Sequence, residues 1–504
     1  MGYFSPLYKF FEEYHKRLER SLRSVFWRPI TQNMITFITA FILLILGYFT
    51  YGKFVDKTFK SDADKTTPAH TLQDGVDFVP MNSNKNSFIQ ILNIAGVGPI
   101  FGPILGALYG PSAFLWIVFG SIFAGGVHDY LTGMISIRYG GAHLPAMASR
   151  FLGKAFSHVV NLFTLLLLVL VGTVFVTAPA EMINALLGDS DYLKVIILGI
   201  FVYYIVATVL PIDKIIGKIY PVLGVLLILS AIGICIGMFM YGNPLPELTL
   251  ENLHPKKIPY YPVIFLTISC GALSGFHATQ SPIISRTIDN EKDGRKVFYG
   301  MMILEAFIAM IWAAASMSLL DTEELSALLA EGGPAAVVNK IAIILLGTVG
   351  GTVAIIGVIV LPITSGDTSF RAARMIIADY LNIDQKVLRN RFAVAIPLFA
   401  ISFILTNMDF QLLWRYFSWS NQVTAAIALW IGTVYLYENK KQYIIALVPA
   451  FFITSVIFSY IFYDPTIGFN MSPTTSNWIG LILTCLLTAL FFVIMKKRKK
   501  AEAL

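Results

Sequence analysis

Charge is what this 504-residue sequence lacks most: Asp, Glu, Lys and Arg make up 13% of it, about half of the roughly 25% usual in soluble proteins. A water-soluble chain of this length would divide into several domains joined by polar linkers, so the composition excludes that class. Cysteine is nearly absent too. Cys235, Cys270 and Cys485 all fall in apolar stretches without paired spacing, which excludes a disulfide framework or a zinc module and leaves them as small core residues. There is no Gly-rich Walker loop, no His-Glu-x-x-His pair and no Gly-x-Ser-x-Gly elbow. ATP-driven pumping within the chain and the commonest hydrolase chemistries are therefore not expected, and neither an enzyme nor a cofactor is. The net charge of +7 sits in loops and at the two ends, where lipid headgroups are the natural partner. No basic stripe with interleaved aromatics offers a nucleic-acid surface.

What is present is apolar length. Hydrophobic residues make up 56% of the chain, in runs of the roughly 20 residues that one bilayer crossing needs. The reading is an all-α polytopic membrane protein of about thirteen transmembrane helices, at 33–51, 88–108, 112–135, 159–187, 193–210, 219–241, 261–281, 297–319, 341–363, 392–406, 411–437, 443–463 and 477–495. From the third span onward, Lys and Arg gather on one side, from Arg138 to the 496–504 tail. Only Lys194, Lys256, Lys257 and Lys340 fall on the other. That bias makes the tail cytoplasmic. The same alternation leaves the basic residues between Lys9 and Arg28 outside, so either residues 1–32 form a basic amphipathic surface segment or one of the first two spans does not cross fully, with 52–87 as a loop.

Two spans are rich in helix breakers. The second holds Gly96, Gly98, Pro99, Gly102 and Pro103, and the seventh holds Gly271, Ser274, Gly275 and Pro282 around His277. A break frees backbone groups that lipid cannot satisfy, so it persists only inside protein or against a cavity. The two spans are five apart and run in opposite directions, the arrangement of an inverted five-plus-five repeat with its solute site between paired discontinuous helices. The repeats would be 88–241 and 261–437, with one helix before them and two accessory helices, 443–495, after. Close helix packing is the other use of such glycines.

Few ionisable groups lie within spans, where each is costly unless paired. His128 and Asp129 are adjacent, so on a regular helix their side chains diverge by about 100°; Asp129 either carries a proton or anchors a helix. His277, beside the Gly275 break, is suited to proton transfer or to a substrate carboxylate. Glu305 pairs with an Arg or binds a proton. Thr364, Ser365 and Thr368 share a helical face that fits sodium or hydrogen-bonds within the helix. Asp367 serves a cation or pairs with Arg371. Asn421 and Gln422 need buried partners, whereas Arg415 can reach the outer interface. The candidates are thus Gly96, Gly98, Pro99, Gly102, Ser274, Gly275, His277, Asn421 and Gln422 for substrate. For ion coupling they are His128, Asp129, Glu305, Thr364, Ser365, Asp367 and Thr368, with the coupling ion either proton or sodium.

At these motifs the sequence resembles the carbon starvation protein A (CstA) family of bacterial inner-membrane transporters. The resemblance is carried by Thr67-Pro68-Ala69 and Asp74-Gly75-Val76-Asp77-Phe78-Val79-Pro80, then Ile94-Ala95-Gly96-Val97-Gly98-Pro99 and Ala124-Gly125-Gly126-Val127-His128-Asp129. Further on it is carried by Ser269-Cys270-Gly271-Ala272-Leu273-Ser274-Gly275-Phe276-His277, Gly366-Asp367-Thr368 to Arg374, and Ser420-Asn421-Gln422. It implies a LeuT-like secondary transporter of the amino acid, polyamine and cation superfamily, induced under carbon starvation, importing short peptides or pyruvate by ion-coupled symport. One leading span stands where longer members have two. An amino-acid symporter, a channel and a non-transporting nutrient sensor are the alternatives.

Overall fold

The computed structural model describes residues 34–502 except 76, 189–191, 210–211 and 386; the expected amphipathic segment 1–32 lies outside the described residues. Among the described residues every regular element is helical, the lone exception being an isolated bridge between Met81 and Ile288. Nine of these helical stretches are long and apolar enough to cross a bilayer. The exterior is apolar, with Leu162 67% and Val349 80% exposed, whereas His128, Asp129, His277, Glu305, Arg371 and Arg374 are buried. Apolar residues outside and charges inside reverse the order found in water. The protein is therefore a multi-pass membrane protein.

Three stretches depart from the hydropathy reading. The first helix does not end at 51, because Ile35–Phe49 passes at Thr50 directly into Tyr51–Phe59. This second piece is amphipathic: Val55 and Phe59 are buried, and Asp56 accepts a 2.6 Å hydrogen bond from Tyr130. The supposed loop 52–87 thus carries helical turns at both ends, since Ser83–Ile94 begins before the apolar run does. The ninth apolar stretch does not end near 363 either. Helix Thr322–Leu381, turned at Gly333 and Gly347 where φ is +63° and +69°, continues through Thr364 to Arg374 to Leu381. Those residues are polar enough to end a hydropathy window, but they are packed inside the protein.

Both breaker-rich spans are interrupted. Ser83–Ile94 stops at Ala95 and resumes as Gly98–Gly106. Tyr260–Thr267 stops at Ile268, and a non-helical stretch leads to His277–Ser285. The two breaks press on each other. A Cβ on Gly98 would overlap Cys270, one on Gly102 would lie 2.9 Å from the Thr267 carbonyl oxygen, and one on Gly271, at φ +84°, would overlap Ala309 and lie 3.7 Å from Pro99. Only glycine allows this approach and this backbone angle.

The freed backbone groups are satisfied by side chains from neighbouring helices. Trp116 Nε1 donates to the Ile268 carbonyl at 2.8 Å, Ser365 Oγ to that of Leu92 at 2.7 Å, and Gln422 Nε2 to those of Phe265 and Leu273 at 3.1 Å each. Asn421 Oδ1 accepts from the Phe276 N–H at 2.7 Å and from Ser274 Oγ at 3.2 Å. At the end expected to be cytoplasmic, Arg138 ties the third helix to Glu291 at 3.1 Å, Tyr435 at 3.0 Å and the Lys60 carbonyl at 2.7 Å.

A Cβ on Gly275 would overlap the Asn421 backbone, whereas one on Gly199 meets nothing within 4 Å. Gly275→Ala should therefore cost most of the monodisperse protein recovered by size-exclusion chromatography in detergent, and Gly199→Ala should leave the yield unchanged or raise it, as helix propensity favours alanine by up to about 1 kcal/mol.

Candidate functional site

The site is built around the second break. His277 is the first residue of the helix that follows it, Asp129 comes from Gly126–Arg138 and Glu305 from Met301–Leu319. His277 Nδ1 lies 2.9 Å from Asp129 Oδ2, and His277 Nε2 lies 3.5 Å from Glu305 Oε2. His128 Nδ1 reaches Asp129 Oδ1 at 2.7 Å. The expected divergence of His128 and Asp129 is thus overturned: the His128 ring folds onto its neighbour's carboxylate, and four ionisable side chains form one chain, His128–Asp129–His277–Glu305, with no solvent exposure. The third helix ends at Arg138 rather than 135, so Asp129 is nine residues from that end, about 13 Å along the axis.

This geometry can hold and pass a proton. An imidazolium at His277 turns an N–H toward each carboxylate, within hydrogen-bond distance of Asp129 and 3.5 Å from Glu305, whereas a neutral imidazole has one N–H to offer. Protonation of any member therefore changes the hydrogen bonding at the first turn of the broken helix. Glu305 finds His277 rather than an arginine as its partner, and its oxygens make no hydrogen bond. Cys270 Sγ, His277 and Glu305 offer donor atoms that all lie within 4.8 Å of one another. A thiol, an imidazole and a carboxylate are together a donor set suited to a soft divalent ion, which spacing along the sequence does not reveal.

The remaining candidates divide. Gly96, Gly98 and Gly102 face the Phe175 ring, Cys270 and the Thr267 carbonyl respectively, and Pro99 is buried beside Gly271. Ser274, Gly275, Asn421 and Gln422 form one contact set where helix Phe410–Glu438 braces the second break. At the start of the second half-helix the Phe276 N–H goes to Asn421 and those of His277 and Ala278 to the carbonyls of Ser274 and Gly275. Thr364 and Thr368 donate within their own helix at 2.8 and 3.0 Å, while Ser365 reaches across to Leu92 beside the first break. Asp367 lies 3.7 Å from Arg371, and Arg415 takes Asp464 at 3.4 Å and Thr466 at 2.6 Å. Asp367 and Arg371 are not in the His277 chain.

Sequence reasoning missed Gln90 and Asn93, shortly before the stop at Ala95, and Gln280 and Ser281 just after the second break. All four are buried, and Gln90, Asn93, Gln280 and Ser281 each carry a side-chain polar atom without a hydrogen-bond partner. Helices Ser83–Ile94 and His277–Ser285 pack on each other. Amides inside an apolar run next to a Gly-Pro break were the available signal.

A lipid-facing helical bundle that encloses two facing breaks and a fully buried acid–imidazole chain defines a multi-pass membrane protein with a titratable interior. The chain belongs to the carbon starvation protein CstA family, whose pattern it matches over residues 32–190, 180–344 and 325–459. It is 42% identical to an uncharacterized membrane protein of Haemophilus influenzae, over 58% of this chain and 92% of that one. It is 25% identical to the peptide transporter CstA of Bacillus subtilis, over 92% of this chain and 96% of that one. Identity to the pyruvate/proton symporter BtsT of Escherichia coli is 26%, over 53% of this chain and 46% of that one.

Removing one member of a buried charged pair costs about 3–5 kcal/mol. Asp129→Ala and His277→Ala should each lower the melting temperature in detergent, and the double variant should fall short of the summed losses by at least about 1 kcal/mol. Additive losses would show that the two groups do not interact.

Proposed function

We propose that this chain is a secondary transporter that imports a small carboxylate-bearing nutrient, pyruvate or a short peptide, across the bacterial cytoplasmic membrane. Uptake is driven by a proton gradient. The solute site lies between the breaks at Ala95–Val97 and Ile268–Phe276, and the His128–Asp129–His277–Glu305 chain carries the proton. The single observation behind this reading is that both interrupted helices are buried against each other, with His277 joining the second of them to two carboxylates on scaffold helices. The unpartnered side chains of Gln90, Asn93, Gln280 and Ser281 supply the polar contacts a bound solute needs, and the names of the relatives agree in chemistry.

Thirteen crossings in an inverted five-plus-five arrangement suit the same reading. The two interrupted spans consist of helices too short to qualify singly, Leu193–Ala207 is shorter than the others, and Phe410–Glu438 carries Arg415, Asn421 and Gln422. A count of single long apolar helices leaves out Leu193–Ala207, Phe410–Glu438 and the second interrupted span, and takes Gly98–Gly106 together with the helix that follows it. Coupling to sodium is the second reading, favoured by the contact between Ser365 and the Leu92 carbonyl, which puts a hydroxyl-bearing helix face against the first break.

Proteoliposomes loaded at alkaline pH and diluted into acid should accumulate labelled pyruvate or labelled dipeptide, and a protonophore should abolish accumulation. An inward sodium gradient alone should not drive it. Asp129→Asn should lose accumulation against the gradient at least tenfold, and Asn93→Ala should raise KM about tenfold, equivalent to about 1.4 kcal/mol. Flux that never saturates, with no uphill accumulation, would identify a channel instead.

A further inference from the structure

A cavity of about 350 Å³ lies apart from the His277 chain, and we propose that it is a second binding station, one that captures the substrate's carboxylate before it reaches the breaks. The proposal rests on the transporter reading. The cavity's walls include Leu105 from the half-helix after the first break and Thr267, the last helical residue before the second. Its other walls come from the 254–258 loop, the turn at Gly333 and the head of helix Phe410–Glu438. By the distribution of basic residues these segments belong to the side facing away from the cytoplasm, the side from which an imported nutrient arrives.

The lining carries donors that nothing in the protein matches. Tyr109, Trp414 and Ser418 are 1%, 6% and 4% exposed, and Tyr109 OH, Trp414 Nε1 and Ser418 Oγ have no hydrogen-bond partner. Indole N–H can only donate, and a buried donor left unpaired is costly. Two cations, Lys256 and Arg415, line the same space. The one carboxylate there, Asp464, is already committed: its Oδ1 accepts from the Thr466 and Ile467 N–H groups at 2.8 and 2.9 Å, and its Oδ2 faces Arg415 at 3.4 Å. The Lys256 backbone N–H is held by His254 Nδ1 at 3.1 Å, which fixes the loop, while the Lys256 ammonium makes no ion pair or hydrogen bond among the described residues. Burial, together with the Lys256 charge, holds the His254 imidazole below its ordinary pKa, so it serves as a neutral acceptor rather than a third cation. Three residues with unmatched donors, one solvent-exposed lysine and one partly committed guanidinium thus border a volume that admits a small monoanion. A carboxylate, with two oxygens and four acceptor sites, matches that set.

The test is equilibrium binding of labelled pyruvate and labelled glycylglycine to the purified full chain in nanodiscs at pH 7, with glycylglycine amide as the probe that lacks a carboxylate. Both carboxylates should bind saturably and the amide should not. Lys256→Gln should weaken carboxylate binding at least fivefold with an unchanged melting temperature. Tyr109→Phe should weaken it severalfold, and Arg415→Lys should retain more affinity than Arg415→Gln. Should Arg415→Gln unfold through loss of Asp464, Lys256→Gln decides alone, since its ammonium holds no part of the fold. Equal affinity in the wild type and Lys256→Gln, or equal binding of the amide and the free dipeptide, would overturn the proposal. Lys256-dependent binding without uptake into proteoliposomes would defeat the transporter reading and leave this station standing; uptake indifferent to Lys256 would do the reverse.

Discussion

Backbone hydrogen bonding at two interruptions governs this structure. A helix that stops inside a bilayer exposes carbonyl and N–H groups that lipid cannot satisfy, at several kcal/mol for each group left bare. Here the surrounding helices answer with side chains placed for the purpose: Trp116 for Ile268, Ser365 for Leu92, Gln422 for Phe265 and Leu273, and Asn421 for the Phe276 N–H. Each of these bonds joins a broken helix to a continuous one. The breaks are therefore held by the bundle.

The same brace sets the position of the titratable chain. His277 opens the half-helix whose preceding N–H is bound by Asn421, so its ring is presented to Asp129 on one side and Glu305 on the other. Four buried ionisable groups would destabilise a membrane protein if scattered, because each would carry its own desolvation cost. Joined, they share protons and charge among themselves. A change of protonation at His277 alters the hydrogen bonds available at the start of a broken helix.

Much of this was legible in the residues. Low charge and recurrent apolar runs announce a helical membrane protein, and Gly98, Gly102, Gly271 and Gly275 mark the interruptions. Asp129, His277 and Glu305 stand out as ionisable groups in apolar surroundings. Their convergence was not legible, since they are 148 and 28 positions apart along the chain and nothing in local periodicity relates the third, seventh and eighth helices. His128 was misjudged for a related reason: helical wheel geometry gives the direction of Cα–Cβ, while the side-chain torsions that fold its ring onto Asp129 depend on what packs around it. The helix through Thr364 to Arg374 escaped hydropathy because its polar residues face protein rather than water.

The sequence by itself determined the solvent of this protein, its all-helical class and the places where helices cannot continue, because each follows from transfer free energy and backbone stereochemistry that act over a few residues. Only the tertiary structure decided which breaks meet, which carbonyls receive a side-chain donor and which acids surround His277. Those pairings depend on packing between segments far apart in the chain, where burial makes every polar group seek a partner and the bundle determines which one is within reach.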